Sequence, residues 1–169
     1  LMKNLSVLFV VLCLMLGFAG CASARLSPQE QKAKASRTMK AIKDSLNAKT
    51  FTINVNYMIS GIAGGRALTD FYDVRVEGKT IISNLPYVGT AWSVPYGGGH
   101  GLDFTGEIKQ MKVRHPGSDR YEVTLSVKDI DGSYTYFFTI FDNGRTDLMV
   151  TSDTRDSISY SGEMLLPEE

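Results

Sequence analysis

The sequence predicts a mainly β domain: one N-terminal α-helix followed by about eight antiparallel strands in a curved sheet or small barrel. Three observations carry this. From residue 50 onward, apolar side chains recur at every second position, the period of a half-buried strand. Turn-forming pairs such as Glu77-Gly78, Asp131-Gly132 and Asn143-Gly144 cut that pattern into short runs. One stretch only, beginning at Ser27, repeats at helical spacing instead.

That stretch opens with Ser27-Pro-Gln-Glu30, where Ser27 caps, Pro28 suits the first helical position and Glu30 completes a capping box. Ala35, Met39, Ile42 and Leu46 then fall on one face. Lys32, Lys34, Arg37, Lys40 and Lys43 lie mostly elsewhere, either as a solvated side or as a side leaning on anionic head groups. The helix is expected to cover one face of the sheet or plug one end.

Phe51, Ile53, Val55, Tyr57 and Ile59 set the first strand in a single phase, and residues 61–66 read as a turn. Tyr72, Val74 and Val76 give the second strand, and Ile81 and Ile82 a short third. Leu102, Phe104 and Ile108 share a phase that Met111 and Val113 leave, so a β-bulge is expected near Lys109-Gln110. His115-Pro-Gly-Ser-Asp119 reads as a loop, followed by a strand through Tyr121, Val123, Leu125 and Val127. Asp131-Gly132 is a hairpin turn. Tyr134 to Phe141 is apolar on both faces and reads as a central strand with its second face covered. Asn143-Gly144 signals a two-residue hairpin, and two strands follow, through Leu148 and Val150 and through Ile158, Tyr160 and Met164.

The stretch that breaks this rhythm is 84–105, with the only Trp of the chain, Pro86, Pro95 and the run Gly97-Gly-Gly99. Two prolines and three glycines exclude a helix or a central strand. Leu85, Tyr87, Val88, Trp92, Val94 and Tyr96 exclude a solvated linker. An ordered loop remains, either a plug over one end of the β core or a binding surface built from Tyr87, Trp92, Tyr96 and His100. Phosphate binding needs a Gly-Lys-Ser/Thr ending that the loop lacks.

The same stretch carries a resemblance. Leu85-Pro-Tyr-Val-Gly-Thr-Ala-Trp-Ser-Val-Pro-Tyr-Gly-Gly-Gly99 and Leu102-Asp-Phe-Thr105 are joined by three further pieces: Tyr121-Glu-Val-Thr124, Ile140-Phe-Asp-Asn-Gly144 and Arg155-Asp-Ser-Ile-Ser-Tyr-Ser-Gly162. Together they resemble a family of Bacteroidetes-type lipoproteins catalogued as domain of unknown function 4251. The resemblance spans roughly residues 36–165. It implies an envelope location and a small, mostly β domain, and it implies no catalytic residues.

Residues 1–20 read as a lipoprotein signal peptide: Lys3 is its only charge, and its apolar run is too short for a stable transmembrane span. Phe18-Ala-Gly-Cys21 is similar to a lipobox, although Phe18 stands where Leu is usual. The alternative is an ordinary secretory signal cut near Ala22-Ser-Ala24. On the first reading Cys21 is the lipid attachment site, residues 21–26 are a tether, and 27–169 form a single β-rich domain without a free thiol. About 149 residues are enough to bury about 68–70% of the unfolded surface.

Nothing in the sequence selects a catalytic set. His100 and His115 are isolated, so no metal site is expected, and no cofactor. No Gly-x-Ser-x-Gly elbow is present. Asp70, Asp73, Asp103 and Glu107 are available carboxylates without a pairing signal, and Asp129 with Asp131 lacks the other ligands of a calcium loop. The balance of 18 basic and 18 acidic residues excludes a nucleic-acid role, which needs a basic excess. The expectation is a non-enzymatic lipoprotein, exported and anchored in the outer membrane facing the periplasm. It would bind an envelope protein or small-molecule ligand through loop 85–101. A structural or assembly-supporting lipoprotein is the alternative, and a hydrolase is the third reading.

Overall fold

The computed structural model describes residues 27–91, 101–129 and 132–166. Contacts divide the chain into Leu1–Lys32 and Ala33–Glu169. The described part of the first unit is the opening of a helix, α1 (Pro28–Ala48). The expected capping box is present: Glu30 N–H donates to Ser27 Oγ at 3.3 Å, and Ser27 N–H donates to Glu30 Oε2 at 2.7 Å. These bonds hold the Glu30 carboxyl below its usual range.

The second unit holds the rest of α1 and eight strands: β1 (Thr50–Ser60), β2 (Gly64–Glu77), β3 (Thr80–Leu85), β4 (Leu102–Gly117), β5 (Arg120–Asp129), β6 (Gly132–Phe141), β7 (Arg145–Ser152) and β8 (Ile158–Leu165). Each pairs antiparallel with the next, and β8 pairs with β1, so the sheet is a closed up-and-down barrel. Closure removes every edge strand. Ile53, Val74, Val76, Ile81, Leu125, Tyr136 and Ile140 are all 0% exposed, so the interior at their level is filled. Phe51 and Phe138 meet edge to face at 5.8 Å. Ile42 and Leu46 of α1 belong to the same core, with Met39 packed against it and Ala35 half-buried.

The expected bulge at Lys109 is present: the β4–β5 register shifts between Ile108 and Gln110. A second bulge was hidden. In β1 the register shifts between Val55 and Tyr57 toward both neighbours, so Asn56 is the extra residue. Beyond it Met58 and Ser60 face inward, while Tyr57 is 38% and Ile59 49% exposed. The single phase expected for this strand is therefore corrected at Asn56.

Other boundaries also move. β2 begins at Gly64, so the 61–66 turn is shorter than expected. Strand β4 runs through His115 to Gly117, with an irregularity between Arg114 and Gly117 at Pro116, which has no ladder donor to give. The loop expected over 115–119 shrinks to Ser118-Asp119. Gly132 pairs with Asp129, so it opens β6 rather than sitting within the turn. Strand β6 is buried on one face only: Tyr134, Tyr136, Phe138 and Ile140 point inward, and Phe137 is 38% exposed. In a barrel no strand is central, and its outer face stays wet.

The hairpin at Asn143-Gly144 is a three-residue loop, not a two-residue one. Gly144 N–H donates to the Phe141 carbonyl at 2.9 Å, closing a turn over Asp142 and Asn143. Gly144 alone then takes a positive φ, 86°, and Asn143 does not. A type I turn followed by a left-handed residue suits the twist of the flanking strands as well as a mirror-image turn does. Asn143 Oδ1 accepts the Arg145 N–H at 3.0 Å instead. Replacing Gly144 with Val should destabilise the domain by about 1–3 kcal/mol, the scale of a strained φ. Urea unfolding checks it, and an unchanged midpoint would remove the turn assignment.

Candidate functional site

In an up-and-down barrel, alternate loops gather at the same end. The β1–β2, β3–β4, β5–β6 and β7–β8 connections share one end, and α1 enters β1 at the other, where Gly78 N–H donates to the Lys49 carbonyl at 2.8 Å. The first of these ends carries the aromatic loop. Its described part, 86–91, is tied to the β7–β8 connection across a long sequence separation.

A strand bridge, hydrogen bonds and a ring contact make the tie. Ala91 and Arg155 form an isolated antiparallel bridge. Thr90 N–H donates to Asp156 Oδ2 at 3.0 Å, and Asp156 N–H donates to the Thr90 carbonyl at 3.0 Å. The Tyr87 hydroxyl lies 2.9 Å from the Thr90 carbonyl and 3.2 Å from the Asp156 carbonyl, so one proton serves two acceptors. From below, the Tyr160 hydroxyl donates to the Pro86 carbonyl at 2.6 Å. The Arg155 guanidinium sits 5.5 Å from the centre of the Tyr87 ring, and Arg155 is only 4% exposed.

Burial raises the Tyr87 phenol above its ordinary range, and the Asp156 carboxylate adds to this against the opposing Arg155 charge. Burial is also the main cause that raises Tyr136 and Tyr160. Beneath the loop, Leu85, Leu102, Tyr136, Tyr160 and Arg155 are each no more than 4% exposed. The Tyr136 hydroxyl donates to Ser83 Oγ at 3.0 Å inside the barrel. At this end the described structure is a sealed floor under a fastened rim.

Of the residues singled out in the sequence, Tyr87 is half-buried and acts as a latch between two loops. Cys21, Trp92, Tyr96 and His100 lie outside the described residues. Arg155 and Asp156 are what sequence reasoning missed. Their only signal was membership of the Arg155–Gly162 motif, which meets the Leu85-Pro-Tyr87 motif here. Leu102 of the Leu102–Thr105 motif pairs with Leu85 at this same end, and the Tyr121–Thr124 and Ile140–Gly144 motifs meet at the opposite end, where Tyr121 pairs with Ile140.

Three of the remaining polar candidates, Asp73, Glu107 and His115, have local partners. Asp73 pairs with Arg75 at 2.9 Å, and Glu107 pairs with Lys109. His115 stacks on Tyr121 with ring centres 4.3 Å apart. Among the described residues no three His, Cys, Asp or Glu side chains gather to hold a metal. Two of the shallow grooves on the outer wall are lined by residues of β1. One, of about 370 Å³, flanks the Asn56 bulge between Leu68–Tyr72 and Glu163–Leu166. The other, of about 360 Å³, runs over Ile59, Phe137, Met149 and Ser159.

Comparison with known proteins agrees with this architecture. No curated protein matches the chain. A crystal structure of a DUF4251 family protein from Bacteroides eggerthii DSM 20697 superposes with a TM-score of 0.59 at 18% identity, covering 80% of this chain and 91% of that one. At that identity the likeness shows the fold. The family described as Domain of unknown function (DUF4251) matches residues 33–164, most of the chain and every strand but the last residue of β8, and the chain belongs to that family.

Proposed function

We propose that this protein is a non-enzymatic lipoprotein of the cell envelope that presents the rim around loop 85–101 to an envelope protein. The observation that carries this is the fastening of 86–91 to Arg155 and Asp156, which gives a preformed edge at Tyr87. A surface already ordered loses less entropy on binding. The filled interior argues against a small molecule held inside the barrel, so the binding residues Tyr87, Trp92, Tyr96 and His100 are assigned to a surface contact. Trp and Tyr are enriched among interface hot spots.

Membrane attachment is assigned to Cys21. Among the described residues no helix is long and apolar enough to cross a membrane. The barrel wall is apolar inward and carries Asn54, Arg75, Glu107, Lys112, Glu122 and Asp147 outward, the reverse of a membrane-spanning barrel. Several acyl chains on one residue anchor stably where a single chain does not.

Two measurements test the proposal. Intact mass of membrane-extracted protein is expected to show an acylated Cys21 as the first residue; an unmodified Cys21 or another terminus overturns the anchor. A photo-crosslinking residue at position 92 is expected to trap a protein partner in intact cells, with the same residue at Ser118, on the opposite end, as control. Equal labelling from both positions overturns the rim assignment.

A further inference from the structure

We infer that the outward face of α1 is a docking surface for an anionic lipid bilayer, which stands the barrel on the membrane with the 86–91 rim pointing away. This rests on the lipid-anchor reading above. Met39, Ile42 and Leu46 turn one side of the helix to the core. At 3.6 residues per turn, Lys43, Lys40, Arg37 and Lys34 follow one another at steps of about 60° around the other side. Lys34, Lys40 and Lys43 are exposed. Asp44 is the one acidic residue between 33 and 48.

Lys34, Lys40 and Lys43 have no ion-pair partner among the described residues. On the barrel Arg66, Lys79, Lys112, Arg114 and Lys128 also lack an ion-pair partner among the described residues, and four cations are paired. Arg75, Lys109, Arg120 and Arg145 each lie within 4 Å of a carboxylate. Residues 49–169 hold 11 basic against 16 acidic residues, so an anionic surface attracts the helix and repels the barrel. That pairing of charges orients the domain as well as holding it.

The chain length places the membrane within reach. Five residues lie between Cys21 and Ser27, and the six steps from one to the other extend to about 20 Å. An anchored Cys21 therefore keeps the start of α1 near the head groups, where each basic residue is worth about five-fold in partitioning. Because α1 enters β1 at the end opposite loop 86–91, a helix resting on the bilayer leaves the rim facing outward.

The test uses the mature chain, residues 21–169, carrying Cys21→Ser, which cannot be acylated, in flotation with vesicles. It is expected to float with vesicles of phosphatidylcholine plus phosphatidylglycerol, to stay behind with phosphatidylcholine alone, and to be released by salt. Neutralising Lys34, Lys40 and Lys43 to Gln should weaken partitioning by about 100-fold, three steps of five-fold. All three side chains are exposed, so the melting curve should not move; if the variant fails to fold, the salt titration of the unsubstituted helix decides. Equal partitioning into both vesicle types, or binding that salt does not release, overturns the proposal. The latter would point to the apolar groove over Ile59, Phe137 and Met149 instead. The mass of Cys21 in the natural protein reports separately on the anchor, so either reading can fail alone.

Discussion

Replacing Gly162 with Ala should cost the domain about 3 kcal/mol or more, beyond the usual 1–3 kcal/mol of an overpacked core. Gly162 of β8 pairs with Val55 of β1, next to the Asn56 bulge. A Cβ built there would collide with the Asn54 carbonyl oxygen and lie 2.8 Å from the Asn54 carbonyl carbon and 2.9 Å from Val55 Cα. All three are backbone atoms, so no change of rotamer relieves the contact. The β1–β8 seam is also what closes the barrel, so the strain falls where the sheet has no alternative partner. A domain of this size has only about 5–15 kcal/mol in total. Urea unfolding gives the loss, and hydrogen exchange should show it concentrated in β1 and β8. Ser161→Ala, one residue away on the outer face, is the control. If Gly162→Ala matched it in stability, the close approach of the two strands would be wrong.

Gly162 also shows where sequence reading stops. A lone glycine in a strand pattern announces a bulge or a close backbone approach but not which strand approaches. The two bulges differ in the same way. At Lys109 the apolar residues change phase, from Ile108 to Met111 and Val113, and the slip is visible in the letters. At Asn56 it is not, because Tyr57 and Ile59 continue the old apolar phase on the outside of the barrel. The pattern reports chemistry, and two exposed apolar residues were enough to imitate an unbroken strand. Asn143-Gly144 misled for another reason: the pair suits both loop lengths, and the choice is made by where Phe141 and Arg145 stand in register.

The rim was half legible. Two prolines and the aromatic residues marked the stretch from composition alone, and Tyr87, in its described part, bonds across to Asp156. Arg155 and Asp156 were not singled out, because their bonds reach back 66 to 69 residues along the chain. No local rule predicts such a contact. It follows from barrel closure, which brings the β3–β4 and β7–β8 connections to one end.

Closure also buries phenols, and that gives the second large effect: the domain should lose stability steeply above pH ~10, the ordinary tyrosine range. Tyr136 and Tyr160 are 0% and 1% exposed. Both phenols are raised, first by burial; in Tyr136 the Ser83 bond opposes this in part, and in Tyr160 the neighbouring tyrosines Tyr136 and Tyr87 add to it. The unfolded chain releases these protons near pH ~10 while the folded chain still holds them. Stability from this source is therefore complete below pH ~10 and declines as pH rises toward the folded values. Each tyrosine contributes a slope of about 1.4 kcal/mol per pH unit, so the pair contributes about 2.7. At pH ~11.5 the loss reaches about 4 kcal/mol, a large share of the whole. Tyr160→Phe should cost about 1–3 kcal/mol at neutral pH, because the Pro86 carbonyl loses its donor, yet it should remove about half of the alkaline slope. The two unfolding curves should thus converge as pH rises. Urea midpoints for the natural chain, Tyr160→Phe and the Tyr136→Phe, Tyr160→Phe pair test this across the alkaline range. If the natural chain loses stability no faster than the doubly substituted one, the phenols are not sealed beneath the rim, and the closed floor under loop 86–91 is wrong.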